Sequence, residues 1–356
     1  MPPTEKKRDL PACYAMVVPG LEAVAGAEIA ATLGGETRRT QPGLVVFRAP
    51  AVDRSLLSLR TTEDVFLLAW GTDQLTYRAV DLHSITRWTE RGPDWKQLLQ
   101  VHHAIRPKPK GKPTMRLVVQ MEGKHAYRRI DARKALARGL VGKLPASWQH
   151  VEENAAIEIW LTIHGASAVC GVRLSDRTMR HRAYKEAHVA ASLRPTVAAA
   201  MVRLADVQPG QTVLDPMCGA GTILAEVHAL GRRCRLLGGD EDAAALRAAN
   251  VNLHFDQAKL QLWDARRLPL EDATVDRVIS NLPFGKQLSR PELIGPLYLR
   301  LLPEFQRVLK KPGRAVLLAA DALAMQDAAG LVGWKSASRV SVRILGQKAT
   351  IYVYGV

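Results

Sequence analysis

Residues 212–230 read TVLDPMCGAGTILAEVHAL, and this stretch decides the fold. A short apolar run ends at Asp215, a turn carries Gly219 and Gly221, and apolar residues then recur at helical spacing. The pattern predicts a buried strand, a glycine loop and a helix. Glycines there let the backbone approach a ligand closely, and a helix start leaves N–H groups free. Taken alone, a plain strand-to-helix turn would read the same way. A dinucleotide-binding fingerprint would place a third glycine at position 224, which is Leu224, and this weakens a nicotinamide reading.

The same rhythm continues outward. VAASLRPTVAAAMVRLADV (189–207) precedes the stretch as a helix. RLLGGDEDAAALRAANVNL (235–253), LQLWDARRL (260–268), DRVISNLPFG (276–285) and GRAVLLAAD (313–321) follow it. Each short apolar run ends near Asp, Asn or Gly, and helical periodicity usually comes next. That is the pattern of a parallel α/β sheet with functional groups at strand C-termini. The final SRVSVRILGQKATIYVYGV (338–356) reads as two strands joined by a glycine turn.

Three carboxylates fall at successive strand ends. Asp240, after Asp215, is placed to accept both hydroxyls of a ribose. Asp264, in LWDAR, could accept an adenine amino proton. Either alone is equally well a helix cap, but three in register argue for one nucleoside ligand.

NLPFG, residues 281–285, is the most specific element. Asn281 offers an amide oxygen, Pro283 stiffens the turn, and Phe284 offers a ring face for a base, with stacking worth about 1–3 kcal/mol. An exocyclic base amine is a poor nucleophile because its lone pair is delocalised into the ring. Accepting its hydrogens at Asn281 and a nearby backbone carbonyl favours a pyramidal nitrogen with a free lone pair. No strong base is needed, because the proton leaves after the charge has formed. The bland alternative is a turn with a buried Phe.

Composition narrows the partner. The 356 residues imply two or three domains, and 50 Lys plus Arg against 34 Asp plus Glu give a net charge of +16. Such a basic chain expects a polyanionic partner, with nucleic acid first. Twelve basic and two acidic residues lie between Arg106 and Lys143. There RPKPKGKP predicts an extended loop, TMRLVVQM a strand, and DARKALARGLVGKL a basic helix with Asp131 as its N-cap. Together they offer a phosphate-binding face made of Lys108, Lys110, Lys112, Arg128, Arg129, Arg133 and Lys134, or else a solvated surface. Lys286, just after the 281–285 turn, joins this set.

The rest of the N-terminal half alternates short elements. ACYAMVV, GLVVFRA and VFLLAWG read as strands, and PGLEAVAGAEIAATLGG and DWKQLLQVHHAI as helices. AAIEIWLTI and ASAVCGVRLS read as a hairpin turning at His164-Gly165. Two small α+β modules are expected, one to residue 60 and one over 61–174. SDRTMRHRAYKEAH (175–188) is polar and reads as a tether. His102 and His103 have no metal-spaced partner. The four cysteines are scattered without a CxxC pair, so no metal site and reduced thiols in a cytoplasmic protein are expected. The polar start MPPTEKKRDL predicts no signal peptide, and no apolar run is long enough to span a membrane.

DPMCGAGTI followed by NLPFG, with SLRP at 192–195 upstream, resembles S-adenosylmethionine-dependent guanine-N2 RNA methyltransferases that carry an RNA-binding THUMP domain. The likeness is strongest over 190–290. In the N-terminal half it rests on YAMVVPGLEAVAGAEI and IWLTIHGASAVCGVRLS. The resemblance implies a ferredoxin-like domain (1–60), a THUMP domain (61–174), a linker (175–189) and a Rossmann-like methyltransferase domain (190–356). The last would be a mostly parallel seven-stranded α/β sheet with an antiparallel last strand from the terminal hairpin. It implies S-adenosyl-L-methionine as cofactor. Ser192, Leu193 and Arg194 would line its methionine end, and Asp215, Pro216, Cys218, Gly219, Gly221 and Thr222 its amino-acid part. Asp240 and Glu241 would take the ribose, and Asp264 with Ala265 the adenine edge. Asn281, Leu282, Pro283 and Phe284 would hold the target base, Asn281 also facing the cofactor. Many relatives have Pro at the position of Leu282, which leaves the target nucleotide open.

The implied activity is formation of N2-methylguanosine in tRNA, at position 6 of the acceptor stem first and position 10 second. The expected partner is tRNA, bound by a monomer without membrane or DNA. Ribosomal or small nuclear RNA, a second methylation and a small activating subunit stay open. A DNA or protein N-methyltransferase would use a similar turn but not an RNA-type N-terminal module. A cytosine-C5 enzyme would need a thiolate near 281–285, and none is there. A non-catalytic RNA-binding protein would not need every cofactor and base-site residue.

Overall fold

The computed structural model describes residues 10–106, 111, 113–145, 147–189, 192–254, 258–284, 291–344 and 346–356. The N-terminal half contains β1 (Cys13–Val17), α1 (Glu22–Leu33), β2 (Glu36–Gln41), β3 (Leu44–Arg48), β4 (Thr62–Thr72), α2 (Asp81–Arg91) and α3 (Trp95–Ile105). It continues with β5 (Thr114–Glu122), α4 (Arg129–Gly139), β6 (Gln149–His150), β7 (Ile157–His164) and β8 (Ser167–Arg173). These strands form one sheet in the order β2-β3-β1-β4-β8-β7-β5-β6. β4 pairs antiparallel with β1 on one side and β8 on the other, so the two stretches expected as modules share a continuous sheet.

Alternation along the strands sets the two faces. Cys13, Ala15 and Val17 point into a core covered by Ile29 of α1, Ile85 of α2, Leu98 of α3 and Leu136 of α4. Tyr14 points the other way, where it stacks on Phe66 at 4.5 Å. Two elements escape a reading of apolar pattern. β2, ETRRTQ, is almost wholly exposed, and α2 buries only Asp81, Ile85 and Thr89. The expected N-cap of α4 is corrected: Arg128 caps the helix, and Asp131 lies inside its first turn. Its carboxylate reaches back to accept the Arg128 N–H at 3.0 Å, a satisfying contact that does not require the cap position.

The C-terminal half contains α5 (Pro195–Ala205), β9 (Thr212–Asp215), α6 (Thr222–His228), β10 (Arg235–Asp240), α7 (Ala243–Asn252), β11 (Ala258–Leu262) and β12 (Val275–Asn281). Then come α8 (Ile294–Val308), β13 (Leu309–Ala319), α9 (Ala322–Leu331), β14 (Ser336–Ile344) and β15 (Gln347–Gly355). The sheet order is β11-β10-β9-β12-β13-β15-β14. The first five strands are parallel, and β15 runs antiparallel to both neighbours. This is the doubly wound arrangement with a reversed last strand that the resemblance implied.

The 175–189 segment differs from a loose polar tether. Ser175, Met179 and Arg182 are buried, because its cations meet internal acids. Arg180 pairs with buried Asp64. Arg182 reaches Glu226 of α6 at 3.2 Å, and the same carboxylate takes Arg60 at 2.6 Å and the Tyr184 hydroxyl at 2.7 Å. Glu226 thus joins the N-terminal sheet, the segment and the C-terminal sheet. Val18, Leu21 and Val24 enter the same apolar cluster as Val197 and Met201 of α5, which adds a hydrophobic contact between the halves. Among the described residues no helix is long and apolar enough to cross a membrane.

Candidate active site

Strand order reverses between β9 and β12, the place where open parallel sheets leave a ligand crevice at their C-terminal edge. β9 ends at Asp215, β10 at Asp240 and β12 at Asn281. They open on a cavity of about 730 Å³. Its wall brings together Ser192, Leu193, Asp215, Cys218, Gly219, Thr222, Asp240, Glu241, Asp264, Ala265, Asn281 and Pro283. The sequence put Asp215, Asp240 and Asn281 at separate strand ends, and the sheet brings them to one cavity.

Five of the expected residues stand elsewhere. Arg194 turns to Glu63 at 2.9 Å and faces a neighbouring cavity. Pro216 supports the loop, its carbonyl accepting the Trp263 Nε1–H at 2.9 Å. Gly221 has φ +75°, and a Cβ there would stand 2.8 Å from Leu253 Cδ1, so its role is to let α7 pack behind the loop. Leu282 is fully buried in the cluster that holds Tyr298 and Leu317, leaving only its backbone for the site. Phe284 packs half-buried against the cluster of Leu193 and Ile223 instead of lining the cavity. Of the basic residues, Arg128, Arg129 and Lys134 are exposed on and beside α4, and Arg133 is half-buried at 3.7 Å from Glu152. Lys108, Lys110, Lys112 and Lys286 lie outside the described residues.

The electrostatics follow from burial. Asp215 is 1% exposed and accepts the Ser280 hydroxyl at 2.9 Å and the Met217 N–H at 3.3 Å. Burial pushes its carboxyl up to about 7 and Asp240 adds to this, against the pull of the two hydrogen bonds. Asp240 ties the second strand to the glycine loop, its two oxygens accepting the N–H groups of Gly219 at 2.9 Å and Asp242 at 3.0 Å. Asp264 is engaged by the Arg266 guanidinium at 2.7 and 2.9 Å, and that hydrogen bond holds its carboxyl below the usual range. Burial drives the Cys218 thiol well above its ordinary value, so it is no thiolate nucleophile.

At the elbow, Leu282 donates its N–H to the Leu318 carbonyl at 3.0 Å, and the Tyr298 hydroxyl donates to the Pro283 carbonyl at 2.9 Å. These contacts fix the turn. The Asn281 Oδ1 is buried and has no hydrogen-bond partner among the described residues, and the Ser192 Oγ is in the same state. Two unpaired acceptors on one cavity wall are costly unless a ligand meets them.

Several supporting residues were not foreseen. Asn252 accepts the N–H groups of Glu186 and Ala187 at 2.9 and 2.8 Å and donates to the Ala187 and Ala220 carbonyls, each at 2.9 Å. It clamps the 175–189 segment to the glycine loop. An Asn on the buried side of α7 was its only signal, as Ser280 in an apolar strand was for the Asp215 contact. Leu297 and Arg300 of α8 complete the far wall.

The sheet order, the strand-end acids and the cavity define a Rossmann-like α/β domain with a ligand crevice at its switch point. Residues 182–350 match the family described as UPF0020, RMKL-like, methyltransferase domain. The fold is similar to the crystal structure of TrmN from Thermus thermophilus. The TM-score is 0.78 and the identity 26%, covering 97% of this chain and 99% of that one. The chain is 32% identical over 224 residues to the tRNA (guanine(6)-N(2))-methyltransferase THUMP3 of Bos taurus, covering 58% of this chain and 44% of that protein. It is 31% identical over 218 residues to the tRNA (guanine(6)-N2)-methyltransferase of Thermus thermophilus, covering 60% of this chain and 64% of that protein. The chain thus spans less than half the length of the bovine relative.

Proposed function

We propose that this protein is an S-adenosyl-L-methionine-dependent RNA methyltransferase that forms N2-methylguanosine in tRNA, with guanosine 6 of the acceptor stem as first target and guanosine 10 as second. The buried, unpartnered Oδ1 of Asn281 on the cavity wall carries this reading. The relatives named for guanine-6 activity support the choice of position.

The cavity suits the cofactor chemically: Asp240 and Glu241 stand at the second strand for a ribose, Gly219 leaves room for close approach, and Asp215 and the Ser192 hydroxyl face the same space. When bound, S-adenosyl-L-methionine supplies an electrophilic methyl on a sulfonium and leaves as a neutral thioether. Asn281 Oδ1 accepts a hydrogen of the guanine amine, and an elbow carbonyl takes the second. That holds the nitrogen pyramidal with its lone pair aimed along the transfer axis, and the surplus proton leaves after the N–C bond has formed. The rigid elbow contributes alignment. The guanine must leave its helix to enter the cavity.

The N-terminal sheet we assign to a ferredoxin-like unit to residue 60 and a THUMP unit over 61–174, joined through 175–189 to the catalytic unit of 190–356. They would act as the RNA grip of a cytoplasmic monomer. The test is methyl transfer from labelled cofactor to total tRNA, with the modified nucleotide mapped by mass spectrometry. Label in the acceptor-stem guanosine is expected. Label only in DNA, protein or no acceptor refutes the proposal. Asn281→Ala should abolish turnover while the cofactor Kd stays within a few-fold, and near-native turnover would place amine activation elsewhere.

A further inference from the structure

A second cavity of about 500 Å³ adjoins the first. Arg180, His181, Lys185, His188 and Arg194 line it, and among the described residues Glu63 is the one acid on its wall. Val189, Ser192 and Leu193 line both cavities, so these residues stand on the partition between them. The walls come from β4, from the 175–189 segment and from the start of α5. The cavity therefore forms only where the N-terminal sheet meets the C-terminal one.

We propose that this second cavity seats a phosphodiester of the acceptor RNA, beside the nucleotide whose base enters the first cavity. The inference rests on the RNA methyltransferase reading and deepens it. Internal pairs set the walls: Arg180 is held by Asp64, and Arg194 consumes Glu63 at 2.9 Å. His181 and His188 are exposed at the rim. Lys185 donates to the neutral Leu193 carbonyl at 2.5 Å, and its half-buried ammonium has further hydrogens to offer. Burial lowers its pKa to about 8, opposed by Glu226, and an arriving phosphate would favour the charged form. A phosphate on one side of the partition and a base on the other is what a single extruded nucleotide presents. The contact through Leu193 also ties the seat to the cofactor wall, so a seated backbone and a filled base site support each other.

The test is binding of full-length protein to substrate tRNA, with the linkages flanking the target guanosine either native or replaced by neutral methylphosphonates. Wild type should lose roughly tenfold in affinity with the neutral linkages. Lys185→Met should bind native tRNA more weakly with a shallower salt slope, and the His181→Gln/His188→Gln double variant should bind it more weakly. Both should lose little more when the linkage is neutral, while calorimetry shows the cofactor affinity of the double histidine variant within a few-fold of wild type. Equal losses from the neutral linkage in wild type and variants overturn the seat, as does no loss in either. Inorganic phosphate that raises the Tm of wild type but not of the variants, with no effect of the neutral linkage, assigns the cavity to a free anion and also overturns it. The parent reading fails separately, by absence of methyl transfer to any RNA.

Discussion

Asp215 should make stability depend on pH in a way that one isosteric change removes. Its folded carboxyl titrates at about 7 because it is buried, whereas the unfolded chain would bind that proton only near 4. The folded pKa is raised, so the contribution is fully present below about pH 4, falls as pH rises through the folded value, and is flat above it. A gap of about 3 units corresponds to about 4 kcal/mol lost between those limits. Asp215→Asn keeps an oxygen for the Ser280 hydroxyl and the Met217 N–H but cannot ionise. Relative to wild type, the Asn variant should gain about 3 kcal/mol between pH 4.5 and 8.5, most of it by pH 7.5. Urea unfolding of both proteins without cofactor, followed by tryptophan fluorescence, measures the difference. Trp263 is a local reporter, since it donates to the carbonyl of Pro216 next door. Background titrations cancel between two proteins that differ at one site. Parallel stability profiles across this range would refute the assignment of a buried, proton-holding carboxyl.

Glu226→Gln should destabilise the protein by about 3–5 kcal/mol, because Arg60 and Arg182 would keep their positions without the carboxylate that pairs them; an unchanged Tm in a thermal melt would refute this. Gly239→Ala would put a Cβ 2.1 Å from Trp263 Cε2, so the indole must move, at a cost of about 1–3 kcal/mol. Weaker cofactor binding and altered Trp fluorescence should accompany it, and a native calorimetric Kd would show that the loop does not depend on this packing. Neutralising Lys108, Lys110, Arg128, Arg129 and Arg133 together should weaken tRNA binding and lower its salt slope by about 0.7–0.9 for each phosphate no longer neutralised. Unchanged slopes in filter binding would make that cluster a solvated face.

What the sequence disclosed and what it hid follow one division. The C-terminal sheet was legible because buried parallel strands are apolar throughout and end in polar residues, so TVLD, LLGGD and VISN announce both strand and site. Asp215, Asp240 and Asn281 needed only the knowledge that strand ends converge. Features depending on distant partners could not be read this way. ETRRTQ carries no apolar alternation, since β2 is an edge strand held by backbone bonds to β3. The 175–188 segment looked like a solvated tether because its acids, Asp64 and Glu226, are 116 and 44 positions away from Arg180 and Arg182. The resemblance placed Arg194 at the cofactor with Ser192 and Leu193, yet its guanidinium is held by Glu63, 131 positions away, on the wall of the second cavity. That divergence is informative in itself. The SLRP turn serves two cavities at once, Ser192 and Leu193 facing both and Arg194 only the second. Local pattern reports which residues end a strand, whereas the sharing of a wall between two sites is a property of the assembled halves.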